Sequence, residues 1–263
     1  MPCMNAHPTA LIHPDARIGD GVTAGPQVIV EAGAVIGAGC NLLPRCIIHS
    51  ATVLGEGCIV HPNAILGGLP QDLKFDPATL TGVVVGNRTV IREGATIHRA
   101  TRPGESTRVG SDCYLMAFSH IGHDCIVGNN VILANGALLG GHCFVGDRAF
   151  VSGNSGLHQF VRVGRLAFIG GVSRVTSNVP PFMMLELDST IRNVNLIGLQ
   201  RAGFTEAQIK AVKQAYRLLY HSQLGFRDAL DRIEREIGTP EAMEIVEFCR
   251  VPSKRPHSRH YSR

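Results

Sequence analysis

The stretch from Val109 to Val175 reads VGSDCY LMAFSH IGHDCI VGNNVI LANGAL LGGHCF VGDRAF VSGNSG LHQFVR VGRLAF IGGVSR V, eleven consecutive six-residue units and the start of a twelfth, and all twelve opening residues are Val, Leu or Ile. The fifth position is restricted as well: Cys113, Ser119, Cys125, Val131, Ala137, Cys143, Ala149, Ser155, Val161, Ala167 and Ser173 are all small or β-branched. A period of six fits neither a helix nor a plain strand. It is the signature of a solenoid whose units bury their apolar side only by stacking on neighbours, and hexapeptide repeats of this kind specify a parallel β-helix.

Outward from this stretch the pattern continues. Ile12, Ile18, Ala24, Val30, Ile36, Leu42, Ile48, Leu54, Val60 and Leu66 are six apart, and after a break Val85, Ile91 and Ile97 resume the series, so that of 25 anchors only Ala24 is not Ile, Leu or Val. Three hexads close one triangular coil, so residues eighteen apart should stack at roughly the ~4.8 Å spacing of paired strands. Two Pro- and Gly-bearing segments, 68–84 and 99–108, leave the register and are expected to loop out of the coil. The β-helix is expected over residues 1–180. A small helical domain should follow over 181–250, because Thr205 and Gln208 form a capping box, apolar residues recur at helical spacing to about His221, a second helix spans 226–237, and Thr239-Pro240 opens a third. The basic tail 251–263 is expected to be disordered.

Composition agrees with a glycine-cornered repeat protein. In 263 residues there are 30 Gly, no Trp and only 5% aromatics. The net charge of +4, concentrated at Arg250 to Arg263, is too small to imply nucleic-acid binding. The N-terminal MPCMNAHPT lacks the form of a signal peptide and no apolar run reaches the ~20 residues of a membrane span, so the expectation is a soluble cytoplasmic protein without stable membrane insertion. Six of the eight cysteines occupy the fifth slot of a hexad and none forms C-x-x-C, so they read as small buried fillers rather than disulfide or zinc residues.

The chemistry-bearing residues are histidines, of which there are twelve. His13, His49, His61, His98 and His158 directly follow an anchor, a slot the scaffold fills with His even where no chemistry is suspected, so a purely structural reading of His98 and His158 stands beside a functional one. His120, His123 and His142 occupy other slots. A step of eighteen places His123 beside Gly141 and Asp124 beside His142, which would gather an imidazole, a carboxylate, a second imidazole and an unshielded backbone N–H at one corner. These are the parts of an acyl-transfer site: a base with a pKa near neutrality, a carboxylate to fix its tautomer, and an oxyanion donor. His120, His123 and His142 could instead ligate zinc, as in β-helices that share three-histidine sites between subunits.

The motifs Ile121-Gly-His-Asp-Cys125, Gly140-Gly-His142, Leu157-His-Gln-Phe160, Pro70-Gln-Asp-Leu-Lys74, Thr96-Ile-His-Arg99 and the run from Asn195 to Phe204 resemble the acyl-carrier-protein-dependent UDP-N-acetylglucosamine O-acyltransferases that begin lipid A synthesis. The likeness covers nearly the whole chain. It implies a left-handed coil, a homotrimer with active sites between subunits, no cofactor, and transfer of a 3-hydroxyacyl chain from acyl carrier protein to the sugar 3-hydroxyl. On that resemblance His123 matches the general base, Asp124 its partner and Gly141 the oxyanion donor. His98, His120, His142 and His158 match cleft histidines, Asp72, Lys74 and Gln159 match sugar- and phosphate-side contacts, Gly171 falls where chain length is limited, and Asn195 and Arg201 match nucleotide contacts. Lys210, Lys213 and Arg217 form either a docking face for the acidic carrier protein or a merely solvated helix face. Ile197, Ala202 and Met184-Leu-Glu-Leu-Asp188 depart from the family pattern at the nucleotide end, which leaves open another nucleotide-sugar acceptor. A coenzyme-A donor, a zinc carbonic-anhydrase-like β-helix and a non-catalytic paralogue are the remaining alternatives.

Overall fold

In the computed structural model of the chain, residues 4–258 are described. Short strands, most of them two residues long, form three parallel sheets whose order follows every third strand of the sequence. The chain is thus wound as the left-handed parallel β-helix expected from the repeat and the resemblance. The stacking is the eighteen-residue register: His120 pairs with Leu138 and Ile121 with Leu139, then Leu138 with Gly156 and Leu139 with Leu157. Anchors point inward, and Ile97, Ile121, Leu133 and Leu139 are essentially without solvent contact.

Most corners carry a residue in the left-handed region. Gln27, Arg45, Asn63, Phe118, Asp124, Asn130, His142, Arg148, Asn154, Phe160, Leu166 and Val172 all have φ between 54° and 67°. Gly fills only some corners, so the expectation of a glycine-cornered coil is too narrow. Glycine is demanded where the next coil comes close: a Cβ on Gly110 would lie 2.5 Å from the Gly128 carbonyl oxygen. The fifth-slot cysteines are buried as expected, and they also bond. The Sγ of Cys125 donates to the Gly140 carbonyl at 3.2 Å and that of Cys143 to the His158 carbonyl at 3.2 Å, a role the Ser155 hydroxyl fills at 2.8 Å to Gly170.

The excursions are shorter than their sequence suggests. Gly82–Val85 and Ser106–Val109 are paired strands in register with each other, so the ends of the segments expected to loop, 68–84 and 99–108, belong to the coil. Val and Thr, which suit a pleated surface, draw these ends back into the sheet. The segment expected to be helical from residue 181 likewise opens as sheet, an antiparallel hairpin of Met183–Glu186 with Thr190–Val194 that extends the longest sheet. Four helices follow: α1 (Leu196–Arg201), α2 (Glu206–Tyr220), α3 (Phe226–Glu236) and α4 (Pro240–Arg250). The Thr205–Gln208 capping box opens α2, and Pro240 stands in the first turn of α4 behind the Thr239 cap. Residues 251–258 are not a disordered tail. They pack against the coil and form a bridge between Asn178 and His257, and of the tail 251–263 only 259–263 lie outside the described residues. Among the described residues no helix is long and apolar enough to cross a membrane.

Because each anchor fills a column with no room to collapse, Leu133→Ala should cost about 2–5 kcal/mol. A urea or thermal unfolding comparison with the unaltered protein checks this, and a loss below ~1 kcal/mol would contradict close packing of the column.

Candidate active site

On the second sheet, successive residues after the anchors are His13, Glu31, His49, Gly67, His98, Gly122, Gly140, His158 and Thr176, one line along the coil. Four of the five histidines that occupy this slot therefore share one face, and only His61 belongs to another sheet. Position in the hexad does not separate filler from function here, because the slot on this face opens onto a cleft of about 610 Å³. The cleft is lined by His98, His120, His123, Gly141, His158 and Gln159, with Gln71, Thr96, Leu138 and Arg174 among its other walls.

Sequence neighbours on a strand point to opposite faces, yet His123 Nδ1 lies 2.7 Å from Asp124 Oδ2. The corner makes this possible, since Asp124 is left-handed at φ 59°. Both carboxylate oxygens are engaged: Thr101 N–H donates to Oδ1 at 3.0 Å and Thr101 Oγ1 to Oδ2 at 2.7 Å, while Asp124 N–H donates to Thr107 Oγ1 at 2.8 Å. Burial pushes the Asp124 carboxyl upward, but the bonds from His123 and Thr101, with His142 nearby, outweigh it and hold it at about 2. An ionised carboxylate can only accept, so Nδ1 carries the proton and Nε2 presents a lone pair.

Gly141 lies against that ring, as the eighteen-residue step predicts. A Cβ there would sit 2.4 Å from His123 Nε2 and Cε1, so glycine is the one residue the imidazole tolerates. Among the described residues no backbone carbonyl accepts the Gly141 N–H, whereas those of Gly140 and His142 are both bonded. His142 stacks on Phe160 at 4.5 Å and 7° and stands edge-on to His123 at 5.1 Å. Its Nε2 is 3.7 Å from Asp124 Oδ2, beyond hydrogen-bond reach. His120 Nδ1 bonds Thr96 Oγ1 at 2.8 Å and stands edge-on to His98 at 4.8 Å, and His98 Nδ1 is buried without a partner.

The three candidate zinc ligands do not converge as a set. The ligating atoms that come within 4.8 Å of one another are those of His123, Asp124 and His142, while His120 is held by Thr96. An ion there would meet a carboxylate whose oxygens already accept from His123 and Thr101.

The outer candidates are not brought to the cleft within one chain. Asp72 Oδ1 accepts the Lys74 N–H at 3.0 Å in a local turn, and both side chains are exposed. Asn195 caps α1 by accepting the Gly198 N–H and donates to the Leu166 carbonyl at 2.9 Å, so both ends of its amide are used. Arg201 and Ile197 are exposed on α1, and Gly171 is exposed on the coil, where an added Cβ would meet only ordinary contacts. Sequence reading missed Thr96, Thr101, Thr107 and Phe160. Thr101 and Thr107 sit in the second excursion, where no hexad rule applies, and Thr96 and Phe160 were quoted only as parts of motifs.

Burial, with His120, His123 and His49 nearby, lowers His98 to about 4 from an ordinary 6.5. Between these values the unfolded chain binds the extra proton and the folded chain does not. Stability from His98 is therefore complete above 6.5 and declines as pH falls toward 4. His98→Gln should flatten the pH dependence of unfolding across that window, and an unchanged slope would contradict a neutral, desolvated His98.

Comparison with known proteins agrees with this architecture. A family model described as UDP N-acetylglucosamine O-acyltransferase, domain 2, matches residues 178–257, and one described as bacterial transferase hexapeptide (six repeats) matches 106–141. Acyl-carrier-protein–UDP-N-acetylglucosamine O-acyltransferases of Stenotrophomonas maltophilia and Burkholderia lata are 40% and 42% identical, each over 92% of this chain and over 93% and 95% of their own lengths. The crystal structure of the Francisella novicida UDP-N-acetylglucosamine acyltransferase superposes with a TM-score of 0.92 at 33% identity, covering 97% of this chain and 94% of that one. The Bacteroides fragilis enzyme gives 0.92 at 35% identity over 95% and 98%. With identity of 40% or more running over nearly the full length of both chains, the chain belongs to the acyl-carrier-protein-dependent UDP-N-acetylglucosamine O-acyltransferase family.

Proposed function

We propose that the chain moves a 3-hydroxyacyl group from acyl carrier protein to the 3-hydroxyl of UDP-N-acetylglucosamine, the first step of lipid A synthesis, as a cytoplasmic homotrimer without a cofactor. The observation that carries the mechanism is the 2.7 Å contact of His123 Nδ1 with an Asp124 carboxylate that already has Thr101 as a donor. It leaves Nε2 as the base, beside the bare backbone of Gly141.

Nε2 takes the proton of the sugar hydroxyl as its oxygen attacks the thioester carbonyl carbon. The carbonyl oxygen becomes an oxyanion, which the Gly141 N–H can hold, a contact of the kind worth on the order of 3 kcal/mol. Collapse re-forms the carbonyl, breaks the carbon–sulfur bond and releases the thiolate, which recovers the proton from Nε2. Asp124 stabilises the imidazolium in between. The family relationship supports acyl carrier protein as donor and UDP-N-acetylglucosamine as acceptor over the coenzyme-A and other-sugar alternatives.

Two observations support a site completed by a neighbouring copy. The cleft collects His98, His120, His123 and His158 but not His142, Asp72, Lys74, Gly171, Asn195 or Arg201. Phe118, Ile126, Leu138 and Val172 also leave 48–75% of their surfaces uncovered on the coil, apolar surface that a neighbouring copy could cover. Lys210, Lys213 and Arg217 recur at helical spacing on α2 and suit an acidic donor protein by charge.

Product mass spectrometry with a panel of 3-hydroxyacyl carrier proteins, matched coenzyme-A thioesters and UDP-N-acetylglucosamine tests the proposal. The expected result is an O-acylated sugar nucleotide from the carrier-protein donors. No product, or product from coenzyme A alone, would sink it. His123→Ala should lower kcat by ~10²–10⁴-fold. Gly141→Ala, which drives a methyl into the imidazole, should lower kcat by about 10²-fold while the far-ultraviolet circular dichroism is kept.

A further inference from the structure

The segment 251–258 is built as a strap, and one residue pins it. Asn178 is fully buried and uses its polar atoms on the strap on both sides of Arg255. Its Nδ2 donates to Ser253 Oγ at 2.9 Å and to the Arg255 carbonyl at 2.8 Å, its N–H donates to the Pro256 carbonyl at 2.7 Å, and its carbonyl accepts the Ser258 N–H at 2.8 Å. The Ser177 and Ser258 hydroxyls add a bond of 2.8 Å. A buried amide satisfied this fully fixes geometry, because detaching the strap would leave its donors and acceptor unpaired.

The strap carries Arg255 to the rim of the cleft. Its Nε donates to the Gln159 carbonyl at 2.8 Å, and its Nη2 meets His158 Nδ1. A guanidinium has five N–H donors and no acceptor, so Nδ1 of His158 must accept. In the neutral ring the proton then sits on Nε2, across the ring from the strap. His158 lines the same cleft as His123 and Gly141. Left alone, an exposed imidazole exchanges between tautomers and offers either a donor or a lone pair to whatever enters.

We propose that Arg255 is a positioning residue: it holds His158 in the Nε2–H form, so that the cleft presents a fixed hydrogen-bond donor to a carbonyl or hydroxyl oxygen of the bound substrates. The identity of that ligand rests on the acyl-transfer reading, but the tautomer does not. The arrangement parallels the outer partners of metal-bound histidines, where the group behind the ring decides what the ring offers in front.

The test uses the full chain with ¹⁵N-labelled histidine, His158 being assigned by its loss in His158→Gln. In the unaltered protein, long-range proton–nitrogen correlation should show an unprotonated Nδ1 and a protonated Nε2 at His158. Arg255→Lys, still a donor, should keep that pattern and most of the turnover. Arg255→Glu places an acceptor behind the ring, so it should move the proton to Nδ1 and lower kcat/KM by about tenfold. Asn178→Ala, which frees the strap, should give a mixed tautomer and an intermediate loss. A protonated Nδ1 in the unaltered protein, or equal tautomer patterns or equal kcat/KM in Arg255→Lys and Arg255→Glu, would overturn the proposal. Absence of any acyl transfer by the unaltered protein would overturn the acyl-transfer reading instead, and the nitrogen spectra would still decide the tautomer.

Discussion

Each coil is fixed to the next by two sets of main-chain hydrogen bonds that run in opposite directions. Strand N–H groups donate forward, as His120 does to the Ala137 carbonyl at 2.9 Å and Gly122 to Leu139 at 2.9 Å. Corner residues donate backward, as His142 does to His123 at 2.9 Å and Phe160 to Gly141 at 3.0 Å. The backward set requires a left-handed residue at each corner, which costs a non-glycine residue roughly 1–2 kcal/mol. A buried N–H left unpaired costs about 1–3 kcal/mol, so the strained conformation is the lesser penalty. That balance explains why Arg, Phe, Leu and Val are tolerated where only Gly or Asn would be comfortable, and why the rise per coil admits so little variation.

Chemistry uses the same constraint. The left-handed turn at Asp124 is the reason two consecutive residues can face one another, and the fixed coil-to-coil rise is the reason the His123 ring lies flush against Gly141. Neither feature was added to the scaffold for catalysis. Both occur at other corners, and what distinguishes this one is the side chains placed there and the bare glycine above.

The register was legible from residue order alone because the anchors report it every six positions, and the His123, Asp124, Gly141, His142 cluster follows from that register by addition. The remainder was not legible for physical reasons. Thr101 and Thr107 act from an excursion whose path depends on tertiary contacts. Arg255 reaches His158 across 97 residues of sequence, and a short stretch rich in charge and proline carries the composition of disorder whether or not a buried asparagine waits to bind it. Asn195 is the converse case: its place in a nucleotide-side motif does not reveal that it also caps α1 and bonds Leu166.

The position of the shorter excursion is itself informative. At ordinary corners the left-handed N–H finds a main-chain carbonyl on the coil beneath, as Asn130 finds Ser111 at 2.8 Å. Beneath Asp124 the chain has left the coil after His98, so no corner carbonyl is there, and the Thr107 hydroxyl takes its place. The departing loop then returns Thr101 to grip both carboxylate oxygens. A closed, unbroken coil would satisfy its own backbone and leave the carboxylate to solvent, where nothing would hold it against His123. The break in the repeat therefore supplies the donors that keep Asp124 ionised and oriented, at a corner where the coil's own main-chain hydrogen bonding is incomplete.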